Sequence, residues 1–263
     1  MILALKYLKG VVILNNSTIT EQLLLRRRTV RHFKKQSLTS EQYARLVEVA
    51  RQAPTSNFLQ QCSFIHITDP AIREQIRAVC QQQYVGANGD LIVFVIDLYR
   101  NHRIRAQFGL ADDALNSTDA FIQGMEDTMI AAQSVVMAAE SMGLGCVYLG
   151  SIQNDIRSII KILKLPKLTY PLVALQIGIP DLIPELKPRL PLKLRSFENQ
   201  YEDRFDLNNL KEYDAIVEKY YDLRDNSKHV DSFTQQIATK LSQTNHKRDE
   251  ILAIIQEQGF CQY

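Results

Sequence analysis

The chain has 263 residues, with 31 Lys and Arg against 29 Asp and Glu and an apolar fraction of 46%. That length suits one large domain or two small ones, and a net charge of +2 does not imply a surface built for nucleic acid. Four widely spaced cysteines, Cys62, Cys80, Cys146 and Cys261, form no C-x-x-C pair; this argues against a disulfide framework or a structural zinc and fits a reducing cytosol. No H-E-x-x-H metal motif occurs, and no apolar run approaches a membrane span.

Residues 1–16 are mildly apolar, carry Lys6 and Lys9, and are broken by Gly10 without a small-residue cleavage site. They read as an extension: an extra strand, a partner-facing arm, or residues leading into the domain. Ser17 or Thr18 caps a first helix, with Glu21 as the capping-box partner of Thr18, and this helix runs into Arg26-Arg27-Arg28-Thr29-Val30-Arg31. Thr39 or Ser40 caps a second helix, in which Tyr43, Leu46, Val47 and Ala50 recur at helical spacing before Pro54 ends it. A polar loop at Thr55-Ser56-Asn57 leads to a strand over Ser63–Thr68, and Asp69-Pro70 starts a helix over Ala71–Gln82. Leu91–Leu98 reads as a buried strand, and Asn101–Phe108 as a loop or short helix.

A long apolar helix follows over Phe121–Met142, with so few charges that it must be buried on most sides, in a domain or at a subunit interface. Cys146–Leu149 is a short strand, Asp155–Leu163 an amphipathic helix, and Pro171–Ile179 the last strong strand. After Arg195 the composition turns polar. Helical patterns cover Tyr213–Tyr221, Thr234–Leu241 and Arg248–Glu257, the last ended by Gly259. Helices interleaved with a few strands predict a layered α+β or α/β domain.

Chemistry concentrates in two basic motifs far apart in sequence. In Leu186-Lys187-Pro188-Arg189-Leu190-Pro191 the two prolines hold Lys187 and Arg189 in extended geometry, an arrangement that suits a phosphate. The second motif is Arg26–Arg31. Tyr148 precedes Gly150-Ser151 at a strand end, where an aromatic ring and exposed backbone N–H groups can line a planar ligand. Gly143-Leu144-Gly145 follows a helix and precedes a strand, the reverse of the dinucleotide-binding order. His66 lies in an apolar alternation and reads as a half-buried strand residue.

These segments, with Ala138-Ala139-Glu140-Ser141-Met142-Gly143-Leu144-Gly145 and Thr55-Ser56-Asn57-Phe58-Leu59-Gln60, carry a resemblance. The chain resembles the FMN-dependent nitroreductase superfamily, in its branch of NADPH-dependent, oxygen-insensitive nitroreductases and NADPH–flavin oxidoreductases. The resemblance covers about residue 19 to the C terminus. It implies an α+β fold with a central, mainly antiparallel sheet flanked by helices, and a C-terminal arm exchanged in a homodimer. It further implies an extension over 1–16, an FMN-binding core over 17–195 and a helical arm over 196–263 that packs on the partner subunit.

By the same resemblance, Arg27, Arg28, Thr29 and Arg31, completed by Lys187 and Arg189, meet the FMN phosphate and nearby atoms. Thr55 and Ser56 contact the flavin of the other subunit, while Asn57 and Phe58 border the substrate. Gln82 bonds the pyrimidine edge, with Gln81 and Gln83 as alternatives one residue away, and Tyr84 follows in the same loop. Tyr148, Leu149, Gly150 and Ser151 run along the ring. Gln153, Lys228 and Arg248 fall at substrate or NADPH positions. Relatives often have a histidine where Arg27 stands, an arginine at Gln153, and serines at Thr55 and Asn57.

The implied reaction is hydride transfer from NADPH to flavin N5, then reduction of nitroaromatics, quinones or free flavin in a ping-pong sequence, with no obligate general acid and no metal. The implied setting is cytoplasmic, with small-molecule acceptors and neither nucleic acid nor membrane as partner. A non-redox flavin- or phosphate-ligand-binding protein is the second reading, and a regulatory or nucleic-acid-binding protein using Arg26–Arg31 the third.

Overall fold

The computed structural model describes residues 6–8, 11–13, 17–111, 113–203, 205–220, 231–240 and 246–263. β1 (Lys6–Leu8) and β2 (Val11–Ile13) pair antiparallel, and α1 (Ile19–Leu25) follows. Thr18 caps α1: its side chain accepts the Glu21 N–H, and Glu21 accepts the Thr18 N–H at 2.6 Å. Thr39 and Gln42 form the same reciprocal cap on α2 (Ser40–Arg51). Next come β3 (Cys62–Ile67), α3 (Pro70–Cys80), β4 (Asp90–Asp97), α4 (Tyr99–Gln107) and α5 (Thr118–Ser141). β5 (Gly145–Leu149), α6 (Ile156–Ile162) and β6 (Thr169–Gly178) complete the central part. α7 (Lys211–Lys219), α8 (Phe233–Lys240), α9 (His246–Asp249) and α10 (Ile251–Glu257) form the tail.

Two compact units result, one of Thr29–Leu182 with Asn245–Tyr263, the other of Met1–Arg28 with Ile183–Thr244. The first holds a four-stranded sheet in the order β3-β4-β6-β5, with every pair antiparallel. Because successive strand residues face opposite sides, β4 sends Leu91, Val93 and Val95 to one layer, with Ile76 and Cys80 of α3 and Ile159 of α6. It sends Ile92 and Phe94 to the other, with Leu46 and Ala50 of α2 and Ala132, Val136 and Ala139 of α5. A strand covered on both faces needs an unbroken apolar run, which is why 91–96 shows no alternation. This is an α+β fold with an antiparallel sheet flanked by helices. Among the described residues no helix is long and apolar enough to cross a membrane.

Several boundaries moved for identifiable reasons. The segment read as a loop or short helix over 101–108 is α4, whose Arg100, His102, Arg103 and Arg105 mask any apolar period; Arg100 pairs with Asp97 at 3.1 Å at the helix start. α5 begins at Thr118, ahead of Phe121, because the Ser117 side chain accepts the Ala120 N–H at 3.1 Å. β6 begins at Thr169 and contains Pro171, which pairs with Val95 where the β4–β6 register shifts between Phe94 and Val95. Such an irregularity tolerates a residue without an N–H.

The tail divides between the units. α10 packs within the sheet unit: Ile254, Ile255 and Phe260 join Ile96, Leu98 and Tyr170 in one cluster. The Phe121 ring meets Phe260 at 5.2 Å and Tyr170 at 5.7 Å, and burying a side chain like Phe260 contributes about 1.5–3 kcal/mol. In the other unit Asp214 of α7 accepts the Thr234 N–H at 3.0 Å and its hydroxyl at 2.7 Å, while Tyr213 and Phe233 meet edge to face at 5.4 Å.

Candidate functional site

Residues 29–34 are pinned along the sheet. Val30 N–H donates to Cys146 O at 3.0 Å, Lys34 N–H to Ile179 O at 2.9 Å, and the Asn88 side chain to Phe33 O at 3.0 Å. The approach of Val30 to β5 requires Gly145, where a Cβ would lie 2.7 Å from Val30 Cβ. With Val30 and Phe33 buried in the core, Thr29 and Arg31 stand on a fixed backbone. Arg31 Nε is buried and finds no hydrogen-bond partner among the described residues. A buried, unanswered donor costs about 1–3 kcal/mol, more when charged, so an anionic acceptor supplied from outside is favoured there.

A second cluster joins residues distant in sequence. α3 ends at Gln81 in the left-handed conformation (φ 54). Of the three glutamines that follow one another, only Gln82 is half-buried; Gln81 and Gln83 are exposed. Gln82 Oε1 accepts the Tyr84 hydroxyl at 2.9 Å and the Ser151 hydroxyl at 3.1 Å. Burial pushes the neighbouring Cys80 thiol up, with a hydrogen bond to Ser151 pulling the other way. Tyr148 donates to Gln133 Oε1 of α5 at 2.9 Å. At Gly150 a Cβ would meet nothing, so the strand end after Leu149 borders open space.

The 3-10 turn over Gly150–Asp155 is strapped by α9. Arg248 donates to Gly150 O at 2.8 Å and to Asn154 Oδ1 at 3.1 Å, and Lys247 pairs with Asp155. Burial works against the Asp155 carboxylate, but Lys247 and the Ser158 N–H outweigh it and hold the carboxyl below its usual range. Arg248 therefore stands at the turn that follows β5. Gln153 does something the sequence did not suggest: its Nε2 donates to Pro171 O at 3.1 Å and Leu172 O at 2.7 Å, and its Oε1 accepts the Tyr170 hydroxyl at 2.7 Å. These carbonyls lie at the β4–β6 irregularity, so Gln153 braces β6.

The 55–60 loop rests on a different support. Asp127 of α5, 2% exposed, accepts the Ser56 N–H at 2.8 Å and the Gln61 N–H at 3.3 Å. Asn57, Phe58 and Gln60 are all left-handed (φ 51, 60 and 53), a strained run that only a braced loop sustains. Phe58 is 83% exposed. It borders a cleft of about 590 Å³ with Asn57, Leu59, Arg100, Ile104 and Gln123.

The remaining predicted cations belong to the second unit. There Arg28 Nη1 donates to Arg26 O at 2.8 Å, while Arg28 Nε is buried without a hydrogen-bond partner among the described residues. Arg27 N–H caps Leu24 O at 3.3 Å. Arg189 donates to Lys187 O and Pro188 O at 3.3 and 3.2 Å, and Lys187 lies 5.9 Å from the Tyr220 ring centroid. Lys228 lies outside the described residues.

The nitroreductase-family model matches residues 24–179, and the model of that family's C-terminal domain matches 187–263. The chain belongs to the nitroreductase family. A Staphylococcus saprophyticus NADPH-dependent oxidoreductase is 38% identical over 244 residues, 90% of this chain and 96% of that protein. The NfrA1 nitroreductase structure from B. subtilis superimposes with a TM-score of 0.86 at 33% identity, covering 93% of this chain and 100% of that one. The Vibrio harveyi NADPH:FMN oxidoreductase complexed with NAD+ gives 0.83 at 30% identity, covering 93% and 99%. As a nitroreductase-family member the chain is an oxidoreductase with the nitroreductase fold.

Sequence reasoning singled out neither Asp127, which braces the 55–60 loop, nor Gln176, buried in β6. Each is a polar side chain inside a buried apolar stretch, and that exception was the available signal.

Proposed function

We propose that the chain is an FMN-dependent oxidoreductase that takes electrons from NADPH and passes them to small acceptors: nitroaromatics, quinones or free flavin. The observation that carries this reading is the buried guanidinium nitrogen Arg31 Nε, without an acceptor among the described residues and two positions after Thr29 in sequence. A phosphate oxygen answers a guanidinium N–H with a short, charge-assisted bond, and a hydroxyl beside it adds a further donor. We assign phosphate contacts to Arg27, Arg28, Thr29, Arg31, Lys187 and Arg189.

Gln82 and Tyr84 are assigned to the pyrimidine edge, and Tyr148, Leu149, Gly150 and Ser151 to the ring. Open space at Gly150 lets a flat ligand approach the backbone. Bound FMN would supply a carrier that accepts a hydride and releases electrons. The chain's own part is to hold the phosphate, orient the ring and offer hydrogen-bond donors where negative charge develops. Asn57 and Phe58 border the acceptor, and Arg248 and Lys228 serve the nucleotide. Relatives described as NADPH-dependent and as NADPH:FMN oxidoreductase support the choice of donor and cofactor.

We further propose a homodimer. α5 leaves Ile122, Met125, Met129 and Ile130 exposed at helical spacing, an apolar stripe of the kind that a partner covers. In such a dimer Thr55 and Ser56 serve the partner's flavin, and the arm within 196–263, carrying α7 and α8, packs on the partner subunit. None of the four cysteines is in a disulfide, in keeping with action in the reducing cytoplasm.

Anaerobic titration of the FMN-loaded protein with NADPH and with NADH tests the reading. NADPH should bleach the flavin, with kcat/KM exceeding that of NADH by about tenfold, about 1.4 kcal/mol. Flavin that neither nucleotide reduces would contradict it.

A further inference from the structure

Gln176 sits in β6 between Leu175 and Ile177, wholly buried. A buried carboxamide must find partners for both its oxygen and its nitrogen, and all of those recorded for Gln176 are backbone groups of one loop. Its Oε1 accepts the Gly86 N–H at 3.0 Å, and its Nε2 donates to Tyr84 O at 2.9 Å and Asn88 O at 2.8 Å. Reversing the amide would set nitrogen against N–H and oxygen against carbonyls, so its orientation is fixed.

The 84–88 loop lacks a strand partner. Gly86 is left-handed (φ 64), and a Cβ there would lie 3.3 Å from Arg73 Cβ. α3 holds the loop from outside, with Arg77 donating to Val85 O at 2.8 Å and Arg73 to Gly89 O at 2.9 Å. Among the described residues, Gln176 alone grips both ends and the middle with its side chain. Fixing the Tyr84 carbonyl fixes where the Tyr84 hydroxyl meets Gln82 Oε1, at 2.9 Å. The Gln176 backbone also pairs with Val147 of β5, the strand that leads to Gly150 and Ser151.

We propose that Gln176 is a positioning residue for flavin binding: it sets the 84–88 loop so that Gln82 and Tyr84 meet the flavin edge. This rests on the FMN reading above. The test compares Gln176→Leu with Gln258→Leu, a change at another buried glutamine of the same unit, whose Nε2 donates to Pro166 O and Thr169 O at 2.9 Å each. FMN affinity is measured by fluorescence titration, thermal stability by calorimetry, and amide exchange at Gly86 by mass spectrometry.

Gln176→Leu should weaken FMN binding by about tenfold or more and speed exchange at Gly86. Gln258→Leu, at similar loss of thermal stability, should leave FMN affinity within about twofold. FMN affinity unchanged in Gln176→Leu, or weakened equally in both variants, overturns the proposal. Should Gln176→Leu fail to fold, Gln176→Glu, which keeps the Gly86 acceptor and loses both donors, is judged by the same criteria. Wild-type protein that binds no FMN would defeat the functional reading itself. FMN-binding wild type with an indifferent Gln176 variant defeats only this inference.

Discussion

Ser151 donates to Gln82 Oε1 at 3.1 Å across 69 residues of sequence. The bond ties the turn after β5 to the loop after α3, and with Tyr84 on the same oxygen it turns the Gln82 amide nitrogen outward as a donor. Ser151→Ala and Tyr84→Phe should each weaken FMN binding by about 0.5–1.5 kcal/mol, roughly two- to tenfold. Fluorescence titration reads this directly, and affinities unchanged in both variants would detach the cluster from the flavin.

Arg31 carries a buried donor without an acceptor among the described residues, so it should oppose stability without ligand and favour binding with it. Arg31→Leu should leave the apoprotein as stable as wild type or more so, and should weaken FMN binding by about 1.5–3 kcal/mol. Paired melting curves with and without FMN distinguish this from a structural role, which would destabilise the apoprotein too.

Alkaline stability should fall in a defined window. Burial pushes the Tyr170 phenol up to about 12, with the Gln153 hydrogen bond and Arg248 pulling weakly the other way; burial likewise lifts the Cys62 thiol to about 12. Both groups are raised in the fold, so the native state binds more protons than the unfolded chain as pH rises. Their contribution is intact below the ordinary pKa of each group and is lost progressively toward pH 12. Urea unfolding at pH 8, 10 and 11 should show declining stability, with a shallower decline in Tyr170→Phe. An equal slope in that variant would place the effect elsewhere.

On the proposed homodimer, the apolar stripe on α5 predicts that Met129→Asp yields a monomer with weakened flavin binding. Sedimentation velocity decides: a Met129→Asp dimer, or a wild-type monomer with full turnover, would remove α5 from the interface.

Much of this was legible in the sequence where the signal is local. The Thr18–Glu21 cap and the β4 run needed only spacing and composition. The start of α5 was hidden because Ser117, Thr118 and Asp119 carry no apolar period, and the Ser117 cap sets it. The bonds of Gln153 were not legible, because its partners, the Pro171 and Leu172 carbonyls, lie at a register irregularity that no residue pattern announces. Gln82 could not be told from Gln81 and Gln83 by spacing, since the left-handed turn at Gln81 decides which of them points inward. Asp127 and Gln176 act on backbone groups far away in sequence, and only the assembled sheet brings those groups together.

Bound flavin in the purified protein tests the central claim most directly. The protein should be yellow, or become so on reconstitution, and should release FMN on denaturation at one per subunit. Colourless protein that takes up no FMN would contradict the account.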